Sequence, residues 1–234
     1  NFGQIMYNTI SISAVTLVFT YPFPIILALL LNEMHNATYK KVVQTVTYAP
    51  HFLSTVVVIG MMVSFLSPST GIINHIIKLF GREPVYFITK PEYFKPLYVI
   101  SEIWKNTGWN SIIFLSALAN VDVSLYEASK IDGANRWQQL LNITLPSIIP
   151  TSIIILILNC GKVMNVGFEK VFLMQTDLTL GVSEVISTYV YKQGILNTQF
   201  SYSTAVGFFN SVINFALLVV VNYVAKKVSD VSLW

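Results

Sequence analysis

Two sets of polar residues interrupt apolar stretches of this 234-residue chain, and their types decide what chemistry they can do. Asn159, Lys162, Asn165 and Glu169 fall, at about 100° per residue, within an arc of roughly 120° if one helix runs on to Glu169. Glu102, Lys105, Asn106 and Trp109 occupy adjacent faces of another such segment, with Trp104 and Gly108 between them. These groups hydrogen-bond and pair with charge, and no nucleophile–base pair stands among them. Charges at membrane depth cost about 2.5–3.5 kcal/mol each, so they face a bundle interior, a partner or water. Lining a path for a polar solute is one reading. The other has Lys162 and Glu169 snorkelling from a helix end, the asparagines bonding neighbouring helices, and Glu102 paired with Lys105 as a structural tie. The residues alone leave both open.

The elements that must carry these groups are membrane helices. The chain is 54% hydrophobic and 11% charged, with a mean hydropathy of +0.63, which excludes an ordinary soluble domain. Net charge is +3 with scattered cations, so no nucleic-acid surface is implied. A single cysteine, Cys160, forms no intrachain disulfide, and with His35, His51 and His75 far apart a metal site is not expected. About 20 apolar residues cross a bilayer, and five intervals qualify: 5–31, 42–66, 97–119, 147–166 and 202–225. Pro22 and Pro24 should interrupt the first. The third is the least apolar. Residues 71–81 read as a short amphipathic helix along the interface, in an outer segment of roughly thirty residues rich in proline and glycine. Residues 167–201 read as a second outer segment, mixing aromatic and polar side chains. In the last interval Ser203, Gly207 and Ser211 make a small-residue packing face, with Asn210 and Asn214 able to bond across it. The chain reads as one unit, 1–234, without internal repeats, and KKVSDVSLW reads as its C-terminal end.

The long polar interval runs from Asp122 to Pro150, DVSLYEASKIDGANRWQQLLNITLPSIIP. Ser124 and Glu127 have capping-box spacing and should start a short helix. Gly133 should end it in a left-handed conformation, letting Ala134 begin a new direction. Trp137, Leu140, Leu141 and Leu145 then recur at helical spacing beside the polar Arg136, Gln138, Gln139 and Asn142. Spacing alone is compatible with a plain helix–glycine–helix connection on a membrane surface.

Glu127-Ala128-Ser129, Asp132-Gly133-Ala134, Ile143, Leu145, Pro146 and Pro150 resemble, in that order, the EAA loop of the membrane subunits of binding-protein-dependent ABC importers. Ser129 departs from the pattern, which more often has a second alanine there. The resemblance implies an all-α polytopic bundle of the type I importer permease kind, with one further helix ahead of Asn1. It makes residues 122–150 a cytoplasmic coupling stretch, with Glu127, Ala128, Ser129, Asp132, Gly133, Ala134, Arg136, Leu145 and Pro146 at or around the contact with an ATP-hydrolysing subunit. Lysine and arginine counts do not orient the chain. With that stretch inside, Lys40, Lys41, Lys130, Arg136, Lys226 and Lys227 balance Lys78, Arg82, Lys90, Lys95, Lys170 and Lys192 outside.

The run from Trp104 through Gly108 to Trp109 resembles a feature of sugar-importing permeases, and GFEKVFLMQ, STYVYKQG and STAVGFFNSVINF resemble those for polysaccharides and complex carbohydrates. The implied function is the permease subunit of an ATP-driven oligosaccharide importer in a bacterial cytoplasmic membrane. Its implied partners are a second permease, a dimer of ATP-binding subunits, an extracytoplasmic solute-binding protein, the oligosaccharide and lipid. ATP and Mg would sit on the ATPase, since no Gly-x-x-x-x-Gly-Lys-Ser/Thr loop occurs here; the chain itself is expected to be neither an enzyme nor a cofactor binder. Phe168, Phe172, Tyr189 and Tyr191 could stack on sugar rings, or serve as interfacial anchors. With the stripe, the pathway candidates are Trp104, Asn106, Trp109, Asn159, Lys162, Asn165, Phe168, Glu169, Phe172 and Tyr189. The alternatives are an ABC permease for an amino acid or peptide and, against the coupling stretch, a stand-alone secondary transporter. A membrane enzyme has least in its favour.

Overall fold

Proline and glycine positions divide the apolar runs of this computed structural model, which describes residues 2–229 and 231–233. Asp230 and Trp234, part of the closing segment read as the chain's end, lie outside the described residues. Helix α1 (Phe2–Thr20) gives way at Tyr21 to α2 (Pro22–Glu33). The break expected from Pro22 and Pro24 is there because a proline ring supplies no amide to the preceding turn. Tyr21 is tied across to α9 (Leu145–Cys160), its hydroxyl reaching the Ser152 carbonyl at 2.6 Å.

The second interval is not one continuous helix. Asn36 caps α3 (Ala37–Tyr48), a 3₁₀ turn follows at Ala49–Phe52, and α4 (Thr55–Leu66) leaves at 101° to the first part. Pro50 cannot continue the α3 ladder, and Ser54 restarts it by accepting from the Val57 amide at 3.3 Å. The amphipathic α5 (Ile72–Leu79) is pinned by buried Asn74, which donates to the Leu66 and Val85 carbonyls and accepts from the Val85 amide.

Helix α6 (Pro91–Ala119) is the axis of the bundle, with α1, α2, α3 and α9 packed on it. Its approach to α3 is so close that a β-carbon at Gly108 would overlap the Thr47 carbonyl, so only glycine fits. Ala28, Phe114, Leu118 and Ile148 fill the core between α2, α6 and α9. Beyond α6 come α7 (Val123–Ile131) and α8 (Arg136–Gln139), then a π turn at Leu140–Thr144 leading into α9.

The fourth interval ends early. Helix α9 stops at Cys160, not near Val166, and α10 (Phe168–Met174) begins after an irregular stretch. Two short helices, α11 (Leu180–Ser183) and α12 (Ile186–Tyr191), a π turn at Lys192–Leu196 and the long α13 (Phe200–Ser229) complete the chain. Side chains of α13 take over the unwound backbone: Asn214 Oδ1 accepts from the Met164 amide at 3.0 Å, and Asn210 and Asn214 both donate to Asn165 Oδ1. An irregular segment at membrane depth is tolerated where protein groups satisfy it in this way.

By length and composition 3 helices can each cross a membrane, 2–33, 136–160 and 200–229, and counting each bent pair as one span raises this to 5. Three of the five intervals read from hydropathy fall on such helices among the described residues, and the second and third reach the count only as bent pairs. The third, 97–119, lies within α6, which alone falls short because polar residues including Glu102 and Lys105 dilute it. The described residues fold as an all-α polytopic bundle.

Candidate functional site

A cavity of about 610 Å³ opens between α1, the α3–α4 bend, α6 and the irregular stretch after α9. Its wall holds a relay of polar groups. His51 Nδ1 lies 3.0 Å from Asn106 Oδ1, Asn106 Nδ2 donates to Glu102 Oε1 at 2.6 Å, and Lys170 Nζ meets Glu102 Oε2 at 2.5 Å. Since the Asn106 amide donates to the carboxylate, its oxygen accepts, and His51 must carry its proton on Nδ1. Lys170 also donates to the Tyr98 carbonyl at 2.9 Å and sits 4.2 Å from the centre of the Tyr98 ring. A buried ammonium is thus neutralised, hydrogen-bonded and capped by an aromatic face.

The expected Glu102–Lys105 pair does not form. Three residues apart on α6, the two side chains diverge: Glu102 turns to Lys170 on α10, and Lys105 donates to Thr55 Oγ1 at 3.3 Å. The pairing that does form joins α6 to the segment expected to lie outside the membrane, so Lys170 is buried rather than solvated. Nothing local in the sequence announces a partner 68 residues away.

Of the pathway candidates, Asn106, Asn159, Lys162, Asn165, Phe168 and Glu169 line the cavity. The helix assumed for the polar stripe is absent, yet its four members converge because the chain unwinds around the cavity. Trp104, Trp109, Phe172 and Tyr189 do not line it. Trp109 stacks face to face on His51 at 4.6 Å, with 3° between the planes. Phe172 clusters with Phe168 and Tyr191, and Tyr189 lies edge-on to Tyr202. Residues not singled out from sequence include His51, Asn110, Lys170 and Thr16, whose Oγ1 is buried in the wall with no hydrogen-bond partner among the described residues. Asn110, four residues after Asn106, was open to a periodicity argument; the other three needed the fold.

The second site is the α7–α8 element. Helix α7 is capped two residues earlier than the Ser124–Glu127 spacing suggests: Asp122 is the cap, accepting from the Ser124 amide at 2.9 Å, which holds its carboxyl below the usual carboxylate range. The capping box lies instead at α8, where Asn135 and Gln138 bond reciprocally at 2.9 and 2.7 Å. Gly133 does close α7, at φ +81°. Its amide donates to the Lys130 carbonyl and that of Ala134 to the Ser129 carbonyl, the two bonds of a Schellman turn. Ser129 Oγ then donates to the Tyr126 carbonyl and accepts from Gln139 Nε2, locking α8 onto α7. Tyr126 and Thr144 hydroxyls, 3.0 Å apart, fasten the element to the start of α9. Glu127, Ala128, Asp132, Gly133 and Arg136 are all exposed, as are Ile131 at 87% and Trp137 at 72%; Leu145 is half-buried against the α6–α9 core and Pro146 is exposed.

Comparison with known proteins bears on both sites. Residues 8–230 match the family described as binding-protein-dependent transport system inner membrane component. The chain belongs to this family. Within it, the sequence is 43% identical over 234 residues to protein LplB of Bacillus subtilis (strain 168), covering 100% of this chain and 74% of that one. It is 42% identical over 233 residues to the polygalacturonan/rhamnogalacturonan transport system permease protein YteP of the same strain, covering 100% and 73%. Among solved structures it superposes with a TM-score of 0.95, at 40% identity, on a chain of a bacterial alginate ABC transporter in complex with an alginate pentasaccharide-bound periplasmic protein, covering 99% of this chain and 81% of that one. The family resemblance read from the EAA-like stretch therefore holds. The chain is a membrane permease component.

Proposed function

We propose that this chain is the permease subunit of an ATP-driven importer of oligosaccharides, with the cavity against α6 as its half of the translocation path and α7–α8 as its contact with a separate ATP-hydrolysing subunit. The observation that carries the reading is the α7–α8 element itself. It is rigidly closed by a Schellman turn, a capping box and the Ser129 bridge, yet its large apolar groups Ile131 and Trp137 are left in solvent. A stiff element joined directly to α6 and α9 transmits displacement to both, which a flexible loop would dissipate. Exposed apolar side chains of this size, rimmed by Glu127, Asp132 and Arg136, suit a protein groove.

The sugar part rests on the substrates named for the relatives and on the cavity's chemistry: asparagine amides and nearby rings suit a ligand dense in hydroxyls. ATP and Mg belong to the partner, and a second permease together with a solute-binding protein completes the assembly. Closure of the ATPase pair would move α7–α8 and, through α6, reshape the cavity. The test is purification through the C-terminus in mild detergent, then reconstitution in liposomes. Co-recovery of a P-loop ATPase and a second permease, with ATP-dependent oligosaccharide uptake, supports the reading. Uptake that persists without any ATPase overturns it in favour of a secondary transporter.

A further inference from the structure

A packing helix in a soluble fold buries its apolar stripe, and α5 does the reverse. Its buried residue is polar: Asn74 is 1% exposed, donating to the Leu66, Ser67 and Val85 carbonyls and accepting from the Val85 amide. Ile72, Ile73, Ile76, Leu79 and Phe80 fall within an arc of about 120°, and all five are exposed, Leu79 at 79%. The Asn74 clasp fixes this orientation. It ties α5 to the end of α4, the second half of a bent apolar pair. A Schellman turn closes the other end, with Gly81 at φ +72° and the Gly81 and Arg82 amides bonded to the Lys78 and Ile77 carbonyls. The helix cannot roll its isoleucines inward without breaking the bonds to Asn74.

Large apolar groups held outward on a fixed helix call for a cover, and two observations say which. Only residues 67–71 separate α5 from α4, so α5 starts where the chain leaves the apolar layer, on the side of the bundle where α6 begins; α7–α8 lie where α6 ends. The segment 71–90 is also cationic. Lys78, Arg82 and Lys90 are exposed against Glu83 alone, and none of the four side chains makes a hydrogen bond or ion pair among the described residues. We propose that α5 binds lipid: its apolar face enters the acyl boundary of the leaflet opposite α7–α8, and Lys78 and Arg82 hold the phosphates of anionic phospholipid headgroups. A protein partner would need an apolar centre and an anionic rim. A leaflet with anionic lipid has both, and α4 delivers α5 to it. A groove of about 180 Å³, lined by Val63, Leu66, Tyr86 and Ile88 among others, borders the clasp and extends the apolar surface offered to an acyl chain. The inference needs the membrane assignment of the chain and not its cargo.

The experiment uses the full complex with Cys160→Ser removing this chain's own thiol and a fluorophore attached at Ile76→Cys or, as a second position, Leu79→Cys. It is reconstituted in phosphatidylcholine vesicles in which a minor fraction of either phosphatidylglycerol or phosphatidylcholine is spin-labelled near the top of the acyl chain. Both probes should be quenched by the labelled lipid and protected from iodide, with or without the solute-binding protein. Labelled phosphatidylglycerol should quench more than labelled phosphatidylcholine at equal mole fraction. Lys78→Gln and Arg82→Gln should each lower that relative association about fivefold, Glu83→Gln should raise it, and high salt should weaken it. Iodide quenching without lipid quenching would put the face in water, and protection gained only with the solute-binding protein would make it a protein contact; either result overturns the proposal. So does equal quenching by the two lipids, or a preference indifferent to Lys78 and Arg82. Were neither cysteine variant recovered, thermal midpoints in nanodiscs decide. Phosphatidylglycerol should raise the midpoint of the native complex over that in phosphatidylcholine, and the double variant Lys78→Gln, Arg82→Gln should lose that gain; an undiminished gain would overturn the proposal.

Discussion

Gln139 Nε2 donates to Ser129 Oγ at 3.0 Å, joining α8 to α7 across the glycine turn. Ser129 is the position at which the chain departs from the EAA pattern, and its hydroxyl uses the departure: it also donates to the Tyr126 carbonyl one turn back. Two partly buried hydrogen bonds of this kind contribute about 0.5–1.5 kcal/mol each. Ser129→Ala is therefore expected to loosen α8 without unfolding α7. Amide hydrogen exchange over residues 123–144 should speed up in the variant while α6 and α9 stay protected. Unchanged exchange in that stretch would mean the bridge is incidental.

Gly133 has φ +81°, with nothing within 4 Å of the place its β-carbon would occupy. Backbone conformation, not crowding, is what requires glycine. Alanine there costs about 1–2 kcal/mol for the left-handed conformation, and proline cannot reach it, since its ring holds φ near −65°. Gly133→Pro should insert in the membrane normally yet lose ATP-coupled uptake, with Gly133→Ala partly impaired. Native uptake and ATPase stimulation by Gly133→Pro would remove the coupling role from this turn.

Gly108 poses the opposite case, a glycine required by crowding. A methyl group there meets the Thr47 carbonyl, backbone that cannot rotate away. Forcing α6 from α3 should cost about 1–3 kcal/mol, as overpacking does. The internal control is Gly207 on α13, which has nothing within 4 Å. Gly108→Ala should lower the thermal midpoint of the purified protein and Gly207→Ala should not; equal midpoints would show that the bundle relaxes around the methyl group.

What was legible in the sequence follows the range of the force responsible. The break at Tyr21, the turn at Gly133 and three of the five apolar intervals are set within a few residues by proline rings, a left-handed glycine and hydropathy, and each is found, while the second and third intervals count as spans only as bent pairs. The cap of α7 was misplaced within a local motif because Asp122 and Ser124 can both cap, and the earlier residue engages first. The end of α9 was misplaced for a different reason. Its helical pattern continues past Cys160, but Asn210 and Asn214, far along the chain, offer hydrogen bonds to the unwound stretch. The cavity was legible as a set of polar residues and not as a shape, since the pairings that define it join α6 to α10.

The last expectation concerns that pairing. Glu102 and Lys170 meet with side chains 28% and 9% exposed, so neither is fully hydrated. Removing one partner of such a pair strands the other charge at a cost of about 3–5 kcal/mol, whereas replacing both with apolar groups of similar volume is often neutral or better. Glu102→Gln should therefore destabilise strongly, and Glu102→Gln combined with Lys170→Met should recover much of the loss. The side-chain amide that replaces the carboxylate can still accept from Asn106, so the His51–Asn106 end of the relay survives in the double variant. The measurement is the thermal midpoint of the single and double variants in detergent, read beside uptake. Recovery of the midpoint without recovery of uptake would assign the ion pair a role in the path. Recovery of both would make it a structural tie between α6 and α10. A single variant as stable as the native chain would show that Lys170 finds water once its partner is neutral, and that the wall is wetter than its geometry implies.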